Sequence, residues 1–335
     1  YPIDRSIDLL MSQLDSPDQE IYNEVVDSLL AIARLSEIDE NHQKVIHEQI
    51  NSIAKKVYSL YEIIRLLPED ENSLLMNDYL NSEIQHTLPT LLKLGVIDKP
   101  ETPIETYIHT VKSGDPAKLP FLLEFFENIF SKEQRDIINP LIEQISLDER
   151  SNIGLGHFKA LPNNLDQELI ESVYDLNKWK SVIALDYLLK SEKIEVIKSL
   201  DWQNISPSNA NRELLARQFQ KNGVNLDFIP KDRFKLEGLE LTMYSTLEKT
   251  IILKSVDMFK SIPAENLSRV AQITEEVEFE SNTQIMAEGD YGDSLFIVVD
   301  GKVKIHKGDQ EIVSLGEGAC LGEMALLDGE PRSAD

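Results

Sequence analysis

Apolar residues recur every three or four positions through most of residues 1–240, and the period shortens to two only after residue 275. In SPDQEIYNEVVDSLLAIARL, Ser16 reads as an N-cap, Pro17 as the first helical residue and Gln19 as the closing partner of a capping box. Ile21, Val25, Leu29 and Ile32 then share one helical face. DPAKLPFLLEFFENIF opens with Asp115 and Pro116, SKEQRDIINPLIEQI opens with a Ser131–Gln134 box, and KWKSVIALDYLLK is a short amphipathic helix over residues 178–190. Short amphipathic helices joined by capped turns must bury their faces on one another, which predicts an α-solenoid or an irregular helical stack.

One longer helix is predicted from His42 to Leu67. Ile46, Ile50, Ile53, Val57, Leu60, Ile64 and Leu67 step by four and three, a heptad seam. Such a seam serves either a coiled coil with a partner chain or a helix packed within the stack. The periodicity fails over GVNLDFIPKDRFKLEG, where Pro230 and the flanking glycines predict a linker or docking loop. STLEKTIILKSVDMF restarts it with a Ser245–Glu248 box and an apolar face of Leu247, Ile251, Ile252, Val256 and Phe259. A second short helix after Pro263 would turn Leu267, Val270 and Ile273 inward.

From Glu275 the alternation predicts strands at EEVEFE and TQIMAEGD. It predicts two more around Asp300-Gly301 in SLFIVVDGKVKIH, a two-residue hairpin signal, and another at EIVSLGEG after a turn at Lys307–Gln310. Short strands with glycine turns predict a barrel or a double-sheet jelly roll. The chain thus divides into an all-α part, residues 1–240, and an α+β part, residues 241–335.

Charge narrows the partners. The net charge is -26, with 8 Lys and Arg against 18 Asp and Glu in residues 241–335 and 25 against 41 before them. Neither part offers a basic face, which argues against nucleic acid and anionic membrane as partners. A single cysteine, Cys320, excludes an internal disulfide and fits a reducing, cytoplasmic setting. No apolar run approaches bilayer length, and FLLEFFENIF is broken by Glu124 and Glu127. The chain begins at Tyr1 and stops at Asp335 within a strand-like stretch, so it reads as a piece of a longer protein.

The candidate chemistry lies in GEGACLGEMALLDGEPRSA, residues 316–334. Gly318 and Gly322 let the backbone approach a ligand and turn into a helix of one or two turns, roughly Glu323 to Leu327. The unpaired first amides of that helix carry partial positive charge and suit an anion. Arg332, held by Pro331, supplies a guanidinium that binds phosphate bidentately. Glu323 would repel a bare phosphate, and as an acceptor it suits a sugar hydroxyl. A phosphate fused near a ribose hydroxyl satisfies both side chains, and a cyclic nucleotide is such a ligand.

The run from Gly322 to Leu327, followed by Pro331-Arg332-Ser333-Ala334, resembles the phosphate-binding cassette of cyclic-nucleotide-binding domains of the protein kinase A regulatory subunit and catabolite activator protein type. The resemblance spans about residues 245–335, including Gly289, Gly292 and Gly301. It implies a double-stranded jelly roll with flanking helices. It places Glu323 on the ribose 2′-hydroxyl and Arg332 on the cyclic phosphate. Gly322, Glu323, Met324 and Ala325 would contribute at the helix start, with Ser333 and Ala334 beside the arginine. The family's last strands and lid helix would lie after Asp335. In that family a serine directly after the arginine occurs in cyclic AMP binders, and a hydroxyl there can also favour guanine; cyclic AMP is the expected ligand, with cyclic GMP the alternative.

Residues 7–33 and 121–145 are similar to HEAT-type repeats, each with two helices and a short turn. The whole arrangement resembles the cytosolic part of bacterial transporter-linked proteins with HEAT repeats and a nucleotide-binding domain. That implies a membrane transporter before Tyr1.

Other motifs add little. Gly154-Leu-Gly156 reads as loop, Cys320 as a small residue in a tight turn, and Trp179 and Trp202 as packing residues. The six histidines show no ligand spacing, so no metal is expected. No nucleophile–base set or paired catalytic carboxylates stand out, so no enzyme is expected. The expected function is a cyclic nucleotide sensor coupled to the helical repeats, which could also dock a protein partner. The alternative is an interaction scaffold with a ligand-free, structural domain of the same fold.

Overall fold

The computed structural model describes residues 3–16, 19–175, 177–220, 227–236, 239, 241–260, 262, 264–308, 310–324, 329 and 331–335. These fall into two compact units, residues 1–172 and 173–335. The expected division at residue 240 falls inside the second unit.

The first unit is helical: α1 (Ile3–Ser12), α2 (Gln19–Ala33), α3 (Glu40–Leu66), α4 (Leu74–Gly95), α5 (Ile104–Ser113), α6 (Leu119–Ile129), α7 (Lys132–Ile142), α8 (Leu147–His157) and α9 (Leu165–Val173), which reaches the boundary. Local chemistry sets several starts. The Asp39 carboxylate accepts the Asn41 and His42 N–H groups at 2.8 and 3.0 Å and caps α3. The Ser131–Gln134 box caps α7 as expected. Pro17 lies outside the described residues.

Helix α3 is central. Ile46, Ile50, Ile53, Val57 and Leu60 are buried against the unit's own helices, with α4, α7 and α8 as its main neighbours. The heptad seam therefore belongs to the internal core, and the coiled-coil alternative is excluded. Tyr58 shows why the packing is close. Its hydroxyl donates to the Ile137 carbonyl in α7 at 2.9 Å. Its ring lies over Gly154 of α8, where a Cβ would come within 2.6 Å of the ring. Gly154 and Gly156 are thus helical, not loop: the absent Cβ at 154 makes room for an aromatic ring.

The second unit begins with α10 (Lys178–Lys190), followed by α11 (Ile194–Ser199), α12 (Asn209–Gln220), α13 (Lys231–Phe234), α14 (Thr246–Ser255) and α15 (Ala264–Ile273). Helix α10 is buried nearly all round, Trp179 and Val182 through Leu189 included. The expected docking loop holds Ile229 and Phe234, 2% and 0% exposed, with the Phe234 carbonyl accepting from Arg212 at 2.8 Å. Helices α14 and α15 pack as a pair over a small core of Leu253, Leu267 and Ala271, joined by Phe259, Ile262 and Ile297. The inward faces differ from the expected ones. Leu247, Val256 and Leu267 are buried as expected, whereas Ile251, Val270 and Ile273 are exposed and the smaller Thr250 and Ala271 are buried.

The strands are β1 (Phe296–Ile297), β2 (Val303–Lys307), β3 (Gln310–Leu315) and β4 (Cys320–Leu321). They form two antiparallel pairs, β1 with β4 and β2 with β3. The β2–β3 hairpin turns at Gly308, whose φ of +58° suits glycine. Two expectations are corrected. β1 and β2 are not a hairpin across Asp300-Gly301: Gly301 turns the chain from one sheet to the other, because the nonlocal partner β4 takes β1. Residues 274–295 form no ladder, although Phe279 packs its ring against Phe296 at 6.2 Å. Alternation sorts side chains to two faces, but a strand also needs a neighbour for its backbone groups.

Among the described residues, no helix is long and apolar enough to cross a membrane. Nor does any group of three or more His, Cys, Asp or Glu there form a metal site.

Candidate functional site

Arg332 is the centre of the expected cassette, and the structure buries it to 7% exposure. Four contacts fix it. Its backbone N–H donates to the Asp290 carbonyl and its carbonyl accepts from the Gly289 N–H, both at 2.8 Å. Its guanidinium donates from Nη1 to the Gly322 carbonyl and from Nη2 to the Ser294 carbonyl, both at 2.7 Å. The segment Gly289–Ser294 therefore holds the backbone and one side of the side chain, and the cassette's first glycine holds the other.

Two glycines make this possible. A Cβ at Gly292 would come within 2.5 Å of Nη2, and one at Gly322 would clash with Nη1. Gly322 also has φ +82°, a conformation that side chains other than glycine adopt at a cost.

Among the described residues, the side-chain partners of this arginine are neutral carbonyls. Among the described residues, no carboxylate lies within ion-pair distance of it. Arg150 provides the contrast. It is equally buried, but it donates to Pro140 and Glu143 carbonyls at the negative end of α7 and lies over the Tyr61 ring at 4.0 Å. Arg332 has two loop carbonyls in place of a helix end and a ring. Among the described residues, two of its five N–H donors are used in side-chain hydrogen bonds.

The other predicted residues fall around this point. Glu323 follows Gly322 directly, is partly buried and has helical backbone together with Met324. Ala325 lies outside the described residues. Met324 is 57% exposed, so its side chain contributes no packing to the site. Ser333 is exposed and its hydroxyl makes no hydrogen bond among the described residues; Ala334 is partly buried. Asp335 exchanges both backbone hydrogen bonds with His306 of β2 at 2.9 Å, which anchors the end of the arginine segment to the sheet. Burial and then the nearby Glu323 charge push the Cys320 thiol up, against a smaller lowering by the Leu321 N–H. Cys320 starts β4, not a tight turn, and the upward shift disfavours its reactive thiolate.

Asp290, Gly292 and Ser294 were not legible beforehand as the arginine's supports. Their carbonyls and a missing Cβ do the holding, and backbone groups carry no residue signature. The glycine spacing, 289 then 292, was the available signal.

Residues 276–335 match the family described as cyclic nucleotide-binding domain. A cGMP-dependent protein kinase of Plasmodium berghei is 31% identical over 106 residues, 32% of this chain and 12% of the kinase. A cAMP-dependent protein kinase regulatory subunit of Debaryomyces hansenii is 28% identical over 126 residues, 38% of this chain and 27% of that subunit. The corresponding regulatory subunit of Candida albicans is 30% identical over 128 residues, with the same coverage of 38% and 27%. The chain thus spans about a quarter or less of the length of these relatives. No solved structure matches it. The chain carries a cyclic nucleotide-binding domain over residues 276–335, preceded by a helix-rich region.

Proposed function

We propose that this protein is a regulatory sensor that binds a cyclic nucleotide at Arg332 and Glu323 and passes the event to its helices. The observation that carries the reading is the buried arginine that, among the described residues, has no carboxylate partner, in a chain of net charge -26. Buried charges are ordinarily paired, and a cyclic phosphate supplies the missing anion. Gly322, Met324 and Ala325 would offer backbone N–H groups at the helix start, Glu323 would accept from the ribose 2′-hydroxyl, and Ser333 and Ala334 would border the phosphate. Cyclic AMP is the nucleotide proposed first, in line with two relatives named for cAMP, with cyclic GMP kept beside it because another relative is named for cGMP and the exposed Ser333 hydroxyl could reach a guanine.

In this reading the two small sheets are part of a jelly roll, residues 1–240 a HEAT-like solenoid, and the protein a regulator and not an enzyme. Cytoplasmic placement is supported by the single cysteine, and attachment to a membrane transporter by the sequence resemblance.

A second reading has one observation in its favour. Two backbone carbonyls already hold Arg332, so the cassette is ordered by its own chain and could serve as a structural part of a protein-binding scaffold. Equilibrium dialysis with cyclic AMP, cyclic GMP and 5′-AMP separates the two. The sensor retains a cyclic nucleotide and rejects 5′-AMP, whose extra charge and open phosphate fit the pocket poorly. A folded protein that retains none of the three is a scaffold.

A further inference from the structure

The loop that supports Arg332 is itself held from the arginine's own segment. One oxygen of the Asp335 carboxylate, Oδ1, accepts the Glu288 N–H at 2.8 Å and the Gln284 side-chain N–H at 3.1 Å. Next along the loop, the Gly289 N–H donates to the Arg332 carbonyl, and the Asp290 carbonyl accepts from the Arg332 N–H. Gln284, Glu288, Gly289 and Asp290 thus all bond to residues 332–335. The Glu288 carboxylate adds an ion pair with Lys307 of β2 at 3.4 Å.

The backbone alone cannot make this set of bonds. Glu288 and Gly289 are successive, yet both N–H groups turn toward residues 332–335, whereas successive N–H groups of a strand point to opposite sides. Gly289, with φ +88°, makes the turn that brings them together. One N–H meets the Arg332 carbonyl. The other needs an acceptor outside the backbone, and the Asp335 side chain supplies it. Asp335 presents that side chain from a fixed place, because its own N–H and carbonyl are both bonded to His306 of β2.

The arginine depends on the same loop. It carries Gly292, whose missing Cβ makes room for the guanidinium, and Ser294, whose carbonyl accepts from Nη2 at 2.7 Å. Residues 284–288 belong to no strand, so side-chain bonds fix the entry to the loop.

We infer that Asp335 is a positioning residue of the Arg332 site: by clamping Gln284 and Glu288 it holds the loop that aims the guanidinium. It acts through the loop and not on the ligand. The inference rests on the cyclic nucleotide reading of that site.

Two substitutions in the full chain test it, each first checked for folding by circular dichroism. Asp335→Asn keeps an acceptor oxygen and loses the charge, and Asp335→Ala loses both. By calorimetry with cyclic AMP and cyclic GMP, affinity is expected to fall about tenfold in Asp335→Ala, the factor that a hydrogen bond to a charged group is worth. In Asp335→Asn it is expected to stay within about threefold of the unsubstituted protein. Amide hydrogen exchange at Glu288, read by NMR without nucleotide, should quicken in Asp335→Ala and not in Asp335→Asn, a pattern that general destabilisation does not produce. Unchanged affinity in Asp335→Ala, or an equal loss in both variants, overturns the inference and leaves the site intact. No nucleotide bound by the unsubstituted protein overturns the site reading and the inference with it. If Asp335→Ala does not fold, the Glu288 amide of the unsubstituted protein decides: protection, with affinity kept in Asp335→Asn, supports the clamp, and exchange at the rate of an unstructured peptide overturns it.

Discussion

Arg332 Nη1 lies 2.7 Å from the Gly322 carbonyl, so the two ends of the cassette, ten positions apart, meet in one hydrogen bond. The bond exists because residue 322 has no Cβ. It turns the opening glycine of the loop into part of the arginine's holder, and it gives the glycines of this stretch unequal roles.

Gly318 and Gly322 separate these roles. Gly318 has φ +80° and open space around its missing Cβ, whereas a Cβ at Gly322 collides with the guanidinium and comes within 3.0 Å of the Ser294 carbonyl. Gly318→Ala should cost about 1–2 kcal/mol of stability from the left-handed backbone, with nucleotide affinity retained. Gly322→Ala should carry a similar backbone cost and also displace Arg332, so affinity is lost. Chemical denaturation and a binding titration on both variants check this.

Cys320 should react slowly. Its thiol is raised by burial and by Glu323, so the thiolate fraction at neutral pH is below that of a free cysteine. Alkylation by iodoacetamide at pH 7.5 is expected to lag that of a short cysteine peptide. A rate equal to or above the peptide's contradicts the assignment of an inert thiol.

The start of α14 should weaken in acid, because Glu276 accepts the Met243 and Tyr244 N–H groups before it and Glu248 accepts that of Ser245. For both Glu276 and Glu248 burial acts to raise the carboxyl. Hydrogen bonds to N–H groups, with Lys249 beside Glu276 and Arg217 and Lys190 near Glu248, outweigh it and leave both below the ordinary value. A folded value below the unfolded one stabilises fully above the unfolded value and is lost as pH falls through the folded one. The difference in Tm between the unsubstituted protein and Glu276→Gln should therefore be present at pH 7 and shrink toward zero below about pH 4.5. A difference constant across that range would mean the charge of Glu276 is immaterial.

Gly154→Ala should destabilise the first unit. The added methyl meets the Tyr58 ring at 2.6 Å and the Leu161 side chain at 2.9 Å. Overpacking of this kind costs about 1–3 kcal/mol, although alanine favours a helix more than glycine does. Thermal unfolding showing a stabilised variant would contradict the packing described for α3 and α8.

Helix starts were legible at the capping boxes of Ser131 and Ser245, because capping is local chemistry, whereas the caps at Asp39, Ser146 and Asn177, which lack the full box, were not read. The seam from Ile46 to Leu60 was legible as buried, and its partner was not: the same apolar spacing serves a foreign helix or the chain's own α4 and α8. Strand positions failed at residues 275–290 and at Asp300-Gly301. Pairing there depends on residues brought from elsewhere, such as β4 reaching back to β1. In the site, Arg332 and Gly322 were legible from residue type and spacing, whereas the Asp290 and Ser294 carbonyls were not, since every residue carries one.

The most direct measurement is a calorimetric titration of cyclic AMP and cyclic GMP into the protein and its Arg332→Ala variant. The charge-assisted bonds that phosphate would lose are worth about 2–4 kcal/mol, roughly 30- to 1000-fold in affinity. Micromolar or tighter binding of a cyclic nucleotide, weakened by that factor in a variant that stays folded, is the result the sensor account predicts. No binding to the folded, unsubstituted protein, or equal binding to both, would contradict it.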